Sequence, residues 1–112
     1  MKRNSIKARK QRHVHEFEGS TKLAEQGEDR HNHRFAGVTG QAIREGNSHF
    51  HEIDLSRTDF LDHFHNLKKI RTGLAIPVGN GKHVHFVSGM TTVNDEHRHN
   101  FNFATLIDKP LV

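Results

Sequence analysis

Twelve histidines dominate the chemistry open to this 112-residue chain, and they fall as His13/His15, His31/His33, His49/His51, His63/His65, His83/His85 and His97/His99, with none left over. A shuffled chain of this composition would give only about one such pair, so the spacing is read as a repeat. Neutral imidazole is the commonest protein ligand for late first-row divalent metals, and it binds when deprotonated. The chain has no Cys, which removes disulfides, thiolate metal sites and thiol nucleophiles together and leaves His, Asp and Glu as ligands. In an extended strand, residues i and i+2 leave the same face about 6.5–7 Å apart, so each pair points two imidazoles at one region.

Three converging pairs would supply six nitrogens. That octahedral set suits Fe(II), Ni(II) or Co(II) better than Zn(II), whose structural sites are tetrahedral; Fe(II) is the favoured ion, with Zn(II) kept as an alternative. Six pairs then make two all-His sites per chain. Either three pairs of one chain meet, or each pair meets its symmetry mates on the axis of a homotrimer, and the sequence allows both. A filled octahedron leaves no place for water or substrate, so the expectation is a structural or stored metal in a protein that is not an enzyme.

The repeat continues past the ligands. The residue two positions after each pair is apolar, as Phe17, Phe35, Ile53, Leu67, Val87 and Phe101, and a Thr follows each first His by eight positions (Thr21, Thr39, Thr91, Thr105) or nine (Thr58, Thr72). The nine-residue version occupies the middle two units, which divides the chain into three blocks of two. Unit starts lie 18, 18, 14, 20 and 14 residues apart, too irregular for a rigid solenoid and ordinary for strands joined by variable turns. The segments Gln26 to Asp29, Glu45 to Ser48, Pro77 to Gly81 and Asn94 to Glu96 have turn compositions, and Ser56 to Asp62 is a turn without Gly. The fold expected is all-β: six short His-x-His strands in repeated units joined by variable turns, as an intertwined, barrel-like or prism-like homo-oligomer. The repeated Thr reads as a β-branched strand residue making a turn hydrogen bond.

Those elements have little apolar material to work with. Hydrophobic residues are 32% of the chain, with eight Phe and neither Trp nor Tyr, and the mean hydropathy is -0.80. A core this thin calls for a metal or an oligomer interface to supplement it. Of the formal net charge of +4, residues 1–12 supply +6 through Lys2, Arg3, Lys7, Arg9, Lys10 and Arg12. The organisation expected is therefore a basic arm, 1–12, before a single His-repeat domain, 13–112. The arm is first a solubilising terminus and alternatively a contact for nucleic acid or an acidic partner. No apolar run approaches a membrane span and no apolar segment follows the basic start, so the expected setting is the cytoplasm, or a particle or surface reached without a classical signal.

Two other functions fit parts of the pattern. A His-layered core without metal would loosen on acidification. A cupin-like metalloenzyme also uses His-x-His with a nearby acid, here Glu18 or Asp54, but six equivalent pairs without a consistent carboxylate do not build one open, asymmetric site.

His-Val-His-Glu-Phe from position 13, Glu-Asp-Arg-His-Asn-His-Arg-Phe-Ala-Gly-Val-Thr-Gly from 28 and Lys-His-Val-His-Phe-Val-Ser-Gly from 82 carry a resemblance to the YmaF-like family of small His-rich bacterial proteins. The resemblance covers nearly everything after residue 12, and implies kinship and a bacterial origin without an activity. The His-x-His strands also resemble, over that short motif, the needle-like tips of phage long tail fibres, where three intertwined chains surround a line of octahedral irons. That second resemblance implies a trimer and iron.

Overall fold

The computed structural model describes residues 13–108, so the basic arm 1–12 and residues 109–112 lie outside the described region. Within it the chain is all-β with one 3-10 turn, Gly27–Asp29. Ten strands pair as five antiparallel hairpins. Three form the body: β1 (Glu16–Ser20) with β2 (Arg34–Val38), β5 (Glu52–Arg57) with β6 (Asn66–Arg71), and β9 (Phe86–Met90) with β10 (Asn100–Ala104). Two smaller ones, β3 (Ile43–Glu45) with β4 (Ser48–Phe50) and β7 (Ile76–Gly79) with β8 (Lys82–Val84), fill the links between body hairpins. These are the three two-unit blocks expected from the repeat.

The body hairpins close into a triangular prism, β2 lying beside β5, β6 beside β9, and β10 back beside β1. At each seam one backbone hydrogen bond is made near either end. Gly40, Gly73 and Leu106 donate to Glu52, Phe86 and Glu16 at one end, and Asp59, Thr92 and Lys22 donate to Arg34, Asn66 and Asn100 at the other, all at 2.8–2.9 Å. A single chain thus reproduces, by three hairpins, the threefold convergence for which a homotrimer was the other candidate.

Alternation along each strand turns one side chain per strand onto the axis. These are Phe17, Phe35, Ile53, Leu67, Val87 and Phe101, all buried in one cluster, with Ile70 and Phe103 packed against it. They are the six residues that follow the His pairs by two. Glycine makes room for the larger rings: Phe17 stands opposite Gly37, Gly19 opposite Phe35 and Phe101 opposite Gly89. A Cβ at Gly37 would lie 2.8 Å from Cζ of Phe17, closer than atoms pack.

The nine-residue spacing also has a structural cause. In the middle hairpin the register passes from Ile53↔Ile70 to Leu55↔Lys68, so Asp54 and Lys69 are an extra residue in each strand. Lys69 takes a left-handed φ of 54° there, and the matched insertions leave both strand ends in phase. Of the apolar residues between the two histidines of a pair, Phe50 is buried, whereas Val14, Phe64 and Val84 are only partly covered. Arg71 lies over the Phe50 ring at 3.6 Å and Arg57 over Phe64 at 4.9 Å, so guanidinium groups close the outer side of these rings.

Two hexa-histidine cages

Antiparallel pairing decides which histidines meet. The first strand of each body hairpin starts at one end of the prism and the second starts at the other. Pairs one, three and five therefore gather at one end, and pairs two, four and six at the opposite end. The first group, cage A, is His13, His15, His49, His51, His83 and His85; the second, cage B, is His31, His33, His63, His65, His97 and His99. All twelve sequence-predicted ligands are placed, and the ligand atoms of each six lie within 4.8 Å of one another.

The pairs sit where the chain enters the strands rather than along them; among the twelve, His49 and His83 alone belong to a strand, the short β4 and β8. Curling in over the prism end brings the two rings of a pair to 4.9–5.2 Å between centroids, closer than a flat strand would hold them. The second His of each pair is at most 1% exposed, stacked on the apolar cluster, while the first forms an outer, partly covered triangle.

The six rings of each cage are octahedral in arrangement. In cage A, rings contact edge-on in every combination except His13 with His85, His15 with His49 and His51 with His83, which are the opposite vertices. In cage B the opposite vertices are His31 and His65, His33 and His97, and His63 and His99. Adjacent Nε2 atoms approach to 3.0–3.2 Å in cage A and 3.1–3.3 Å in cage B. Dividing such an octahedral edge by √2 puts the centre about 2.1–2.3 Å from each nitrogen, the length scale of first-row metal–imidazole bonds.

The outward nitrogens decide what the inward ones can do. Nδ1 of each inner histidine faces the carbonyl of the residue after a Thr in the neighbouring hairpin. His15 faces Leu106, His51 Gly40 and His85 Gly73 in cage A; His33 faces Asp59, His65 Thr92 and His99 Lys22 in cage B, at 2.8–3.2 Å. A carbonyl only accepts, so Nδ1 carries the proton and Nε2 presents a bare lone pair to the cage centre. The outer ring of cage B is set the same way. His31 donates to the Asp29 carbonyl at 2.6 Å, His97 to the Asp95 carbonyl at 2.9 Å and the Glu25 carboxylate at 3.0 Å, and His63 to the Asp62 carboxylate. In cage A, His83 Nδ1 lies 3.3 Å from the Asp108 carboxylate.

Where the Nδ1 proton is held outward in this way, the Nε2 atom has no proton to donate to its neighbours, although it stands at hydrogen-bond distance from them. The buried Nε2 of His85 has no partner among the described residues. Protonation would relieve the repulsion, but the site opposes it. Burial first, with neighbouring imidazoles assisting, pushes His13, His85 and His99 down to about 4 and His51 to about 3. Burial likewise lowers His33, His49, His65 and His83. Nitrogens aimed at one point and too close for each other, with burial opposing protonation of His13, His49, His51, His83 and His85 in cage A and His33, His65 and His99 in cage B, fit a cation at their centre.

Sequence reasoning saw the repeated Thr and gave it no part in the site. Each Thr in fact clips an inner histidine of its hairpin partner at both ends of the peptide. The hydroxyls of Thr39, Thr21, Thr72, Thr58, Thr105 and Thr91 accept from N–H of His15, His33, His51, His65, His85 and His99 at 2.9–3.1 Å. The Thr N–H groups donate back to the same histidines' carbonyls at 2.8–2.9 Å. The following carbonyl then orients an imidazole of the next hairpin, so each Thr segment fixes two ligands. The recurring offset of Thr from His, eight or nine positions, was the available signal, and the missing information was which strand it faces.

Two findings from comparison bear on the chain as a whole. The family model YmaF, described as spore germination protein GerY/YamF, matches residues 10–107. No curated protein and no solved structure matches.

Proposed function

The chain belongs to the YmaF family, and on that footing we propose that it is a metal-binding protein holding one transition-metal ion in each of its two all-histidine octahedra. The observation that carries this reading is the orientation of the imidazoles: outward Nδ1 atoms of ten of the twelve rings on oxygen acceptors, and inward Nε2 atoms at 3.0–3.3 Å from their neighbours. Six neutral nitrogens around about 2.1–2.3 Å favour Fe(II), then Ni(II) or Co(II), over Zn(II) with its preference for four ligands.

Closed coordination makes the role structural or storage rather than catalytic, since every vertex is a protein ligand. The residues do three things: bind through Nε2, hold the Nδ1 proton on a fixed carbonyl or carboxylate, and exclude water from the inner ring by packing on the apolar cluster. The two hexads sit in one chain, so a homotrimer is not needed to complete either. A metal-free His-layered core is the weaker reading, because it leaves the inward lone pairs of cage B, all six of whose Nδ1 atoms face oxygen acceptors, without donors. The description of the family as a spore germination protein supports a role for these cages in that process, and the basic arm 1–12, first a solubilising terminus, is alternatively the contact for an acidic partner or nucleic acid.

Metal analysis of the purified and reconstituted chain by native mass spectrometry, with X-ray absorption on the bound ion, tests this directly. Two ions per chain, each in a six-nitrogen shell, are expected. Well under one equivalent after reconstitution, or a four-coordinate shell, would overturn it.

A further inference from the structure

The cages share a ligand set but not a surrounding. Around the outer triangle of cage B the surface recess is lined by Glu25, Glu28, Asp29, Asp62, Asp95 and Glu96. Some of these touch the ligands. Asp62 accepts the Nδ1 proton of His63, Asp95 Oδ2 lies 3.5 Å from the same nitrogen, and Glu25 lies 3.0 Å from His97 Nδ1. Asp59 adds a carboxylate 3.2 Å from Nδ1 of the inner His33. Cage A is different: the recesses over its outer triangle include Arg44 beside His13 and His49, and Lys82 beside His83, with no carboxylate among the described residues of either lining. Its direct acid is Asp108, at His83.

We propose that cage B is the loading end, taking up a divalent cation ahead of cage A and holding it more tightly. This rests on the reading of both cages as metal sites and adds an order to them. A carboxylate that accepts the Nδ1 proton raises the donor strength of Nε2, and loss of such a partner costs metal affinity by about 10–100-fold. Carboxylates around the mouth also raise the local cation concentration and speed encounter, an effect that added salt screens. Glu25, Asp62 and Asp95 are positioning residues here: they act on the metal through His97 and His63.

The difference arises from the fold. The three body hairpins turn at the cage B end, where their links carry the acidic residues Glu25, Glu28, Asp29, Asp62, Asp95 and Glu96. The links with β3–β4 and β7–β8 lie at the cage A end, together with both chain ends of the described region.

Nickel(II) added substoichiometrically to the chelator-stripped full chain is the test, read by paramagnetic broadening of backbone amides. The amides of Lys22, Asp59 and Thr92 report on cage B, and those of Gly40, Gly73 and Leu106 on cage A. Broadening is expected at the cage B reporters first. In a chain carrying Glu25→Gln, Asp62→Asn and Asp95→Asn, the affinity of cage B should fall about 10–100-fold while cage A keeps its own. These carboxylates are exposed, so the variant is expected to fold, and filling of cage A is the internal control for that. Equal broadening at both ends, cage A filling first, or an unchanged cage B in the triple variant would overturn the loading order while leaving the metal reading intact. No broadening at either end would overturn both.

Discussion

At its waist the prism takes one side chain from each strand, and they are of four kinds: Phe17, Phe35, Ile53, Leu67, Val87 and Phe101. At its two ends the same six strands contribute a His pair and a Thr, each time without a substitution. The contrast teaches what each region asks of the sequence. The waist asks for volume, and it trades a Phe against a facing Gly or replaces both with middle-sized residues such as Ile53 opposite Ile70. The ends ask for a particular donor atom at a particular vertex, held by a particular pair of hydrogen bonds, and no other side chain offers both.

If that division is right, the largest effect comes from emptying the cages. At free metal about 1,000-fold above the dissociation constant each ion contributes about 4 kcal/mol, so two should raise Tm by tens of degrees for a domain of this size. Differential scanning calorimetry of the loaded and chelator-stripped chain checks this. A difference of only a degree or two would place the stability of the molecule in the waist.

Acidification is the next way to separate the regions, because the buried histidines it charges lie at the ends and the waist cluster holds no titratable side chain. In the stripped chain His13, His51, His85 and His99 have folded pKa values of about 4, 3, 4 and 4, below the ordinary 6.5. Below about pH 6.5 the unfolded chain therefore binds more protons than the folded one, and stability falls as pH drops from there through about 4 and, for His51, about 3. Chemical denaturation at stepped pH should show the midpoint decreasing over that window and flat above pH 7. A midpoint that held constant to pH 4 would contradict the burial of these rings. In the loaded chain the loss should begin at lower pH, since protons must first displace the metal.

The waist has its own probe. Leu67 is fully buried at the centre of the cluster, and Leu67→Ala should cost about 2–5 kcal/mol in both loaded and stripped chains. Metal stoichiometry should stay at two per chain. Loss of one ion on this change would show that the waist sets the cages and is not an independent layer.

Much of this architecture was legible in the residues, and the reason is the repeat. A period of two after each pair named the six core side chains correctly, because a strand offers a single inward side and the His pair marks its phase. The sorting of odd from even pairs was not legible. It depends on antiparallel hairpins sending alternate strands to opposite ends, and the irregular spacing of 18, 18, 14, 20 and 14 residues is equally compatible with meeting on a trimer axis. The small hairpins β3–β4 and β7–β8 were legible only as the turn compositions of Glu45 to Ser48 and Pro77 to Gly81; that a short strand pairs across each turn and carries His49 or His83 was not. The Thr clip was hidden for a related reason: in sequence Thr39 belongs to the unit of His31 and His33, yet in space it holds His15, on the strand opposite.

The smallest expected effect sharpens the comparison most, because it changes an end without touching a ligand. Thr72→Val keeps shape and β-branching while removing the hydroxyl that accepts from His51 N–H at 2.9 Å. That buried donor is then unsatisfied, at a cost of about 1–3 kcal/mol. The backbone bond from the residue-72 N–H to the His51 carbonyl at 2.8 Å remains. The segment that presents the Gly73 carbonyl to His85 Nδ1 at 2.9 Å loses its own hydroxyl tether in the same change. Two vertices of cage A are loosened together and none of cage B, so metal affinity should fall about 10–100-fold at cage A alone. Calorimetric titration resolving two binding events would show one weakened and one preserved. Equal weakening of both would mean that the prism couples its ends through the waist, and the region-by-region division drawn from its sequence would give way to a single cooperative unit.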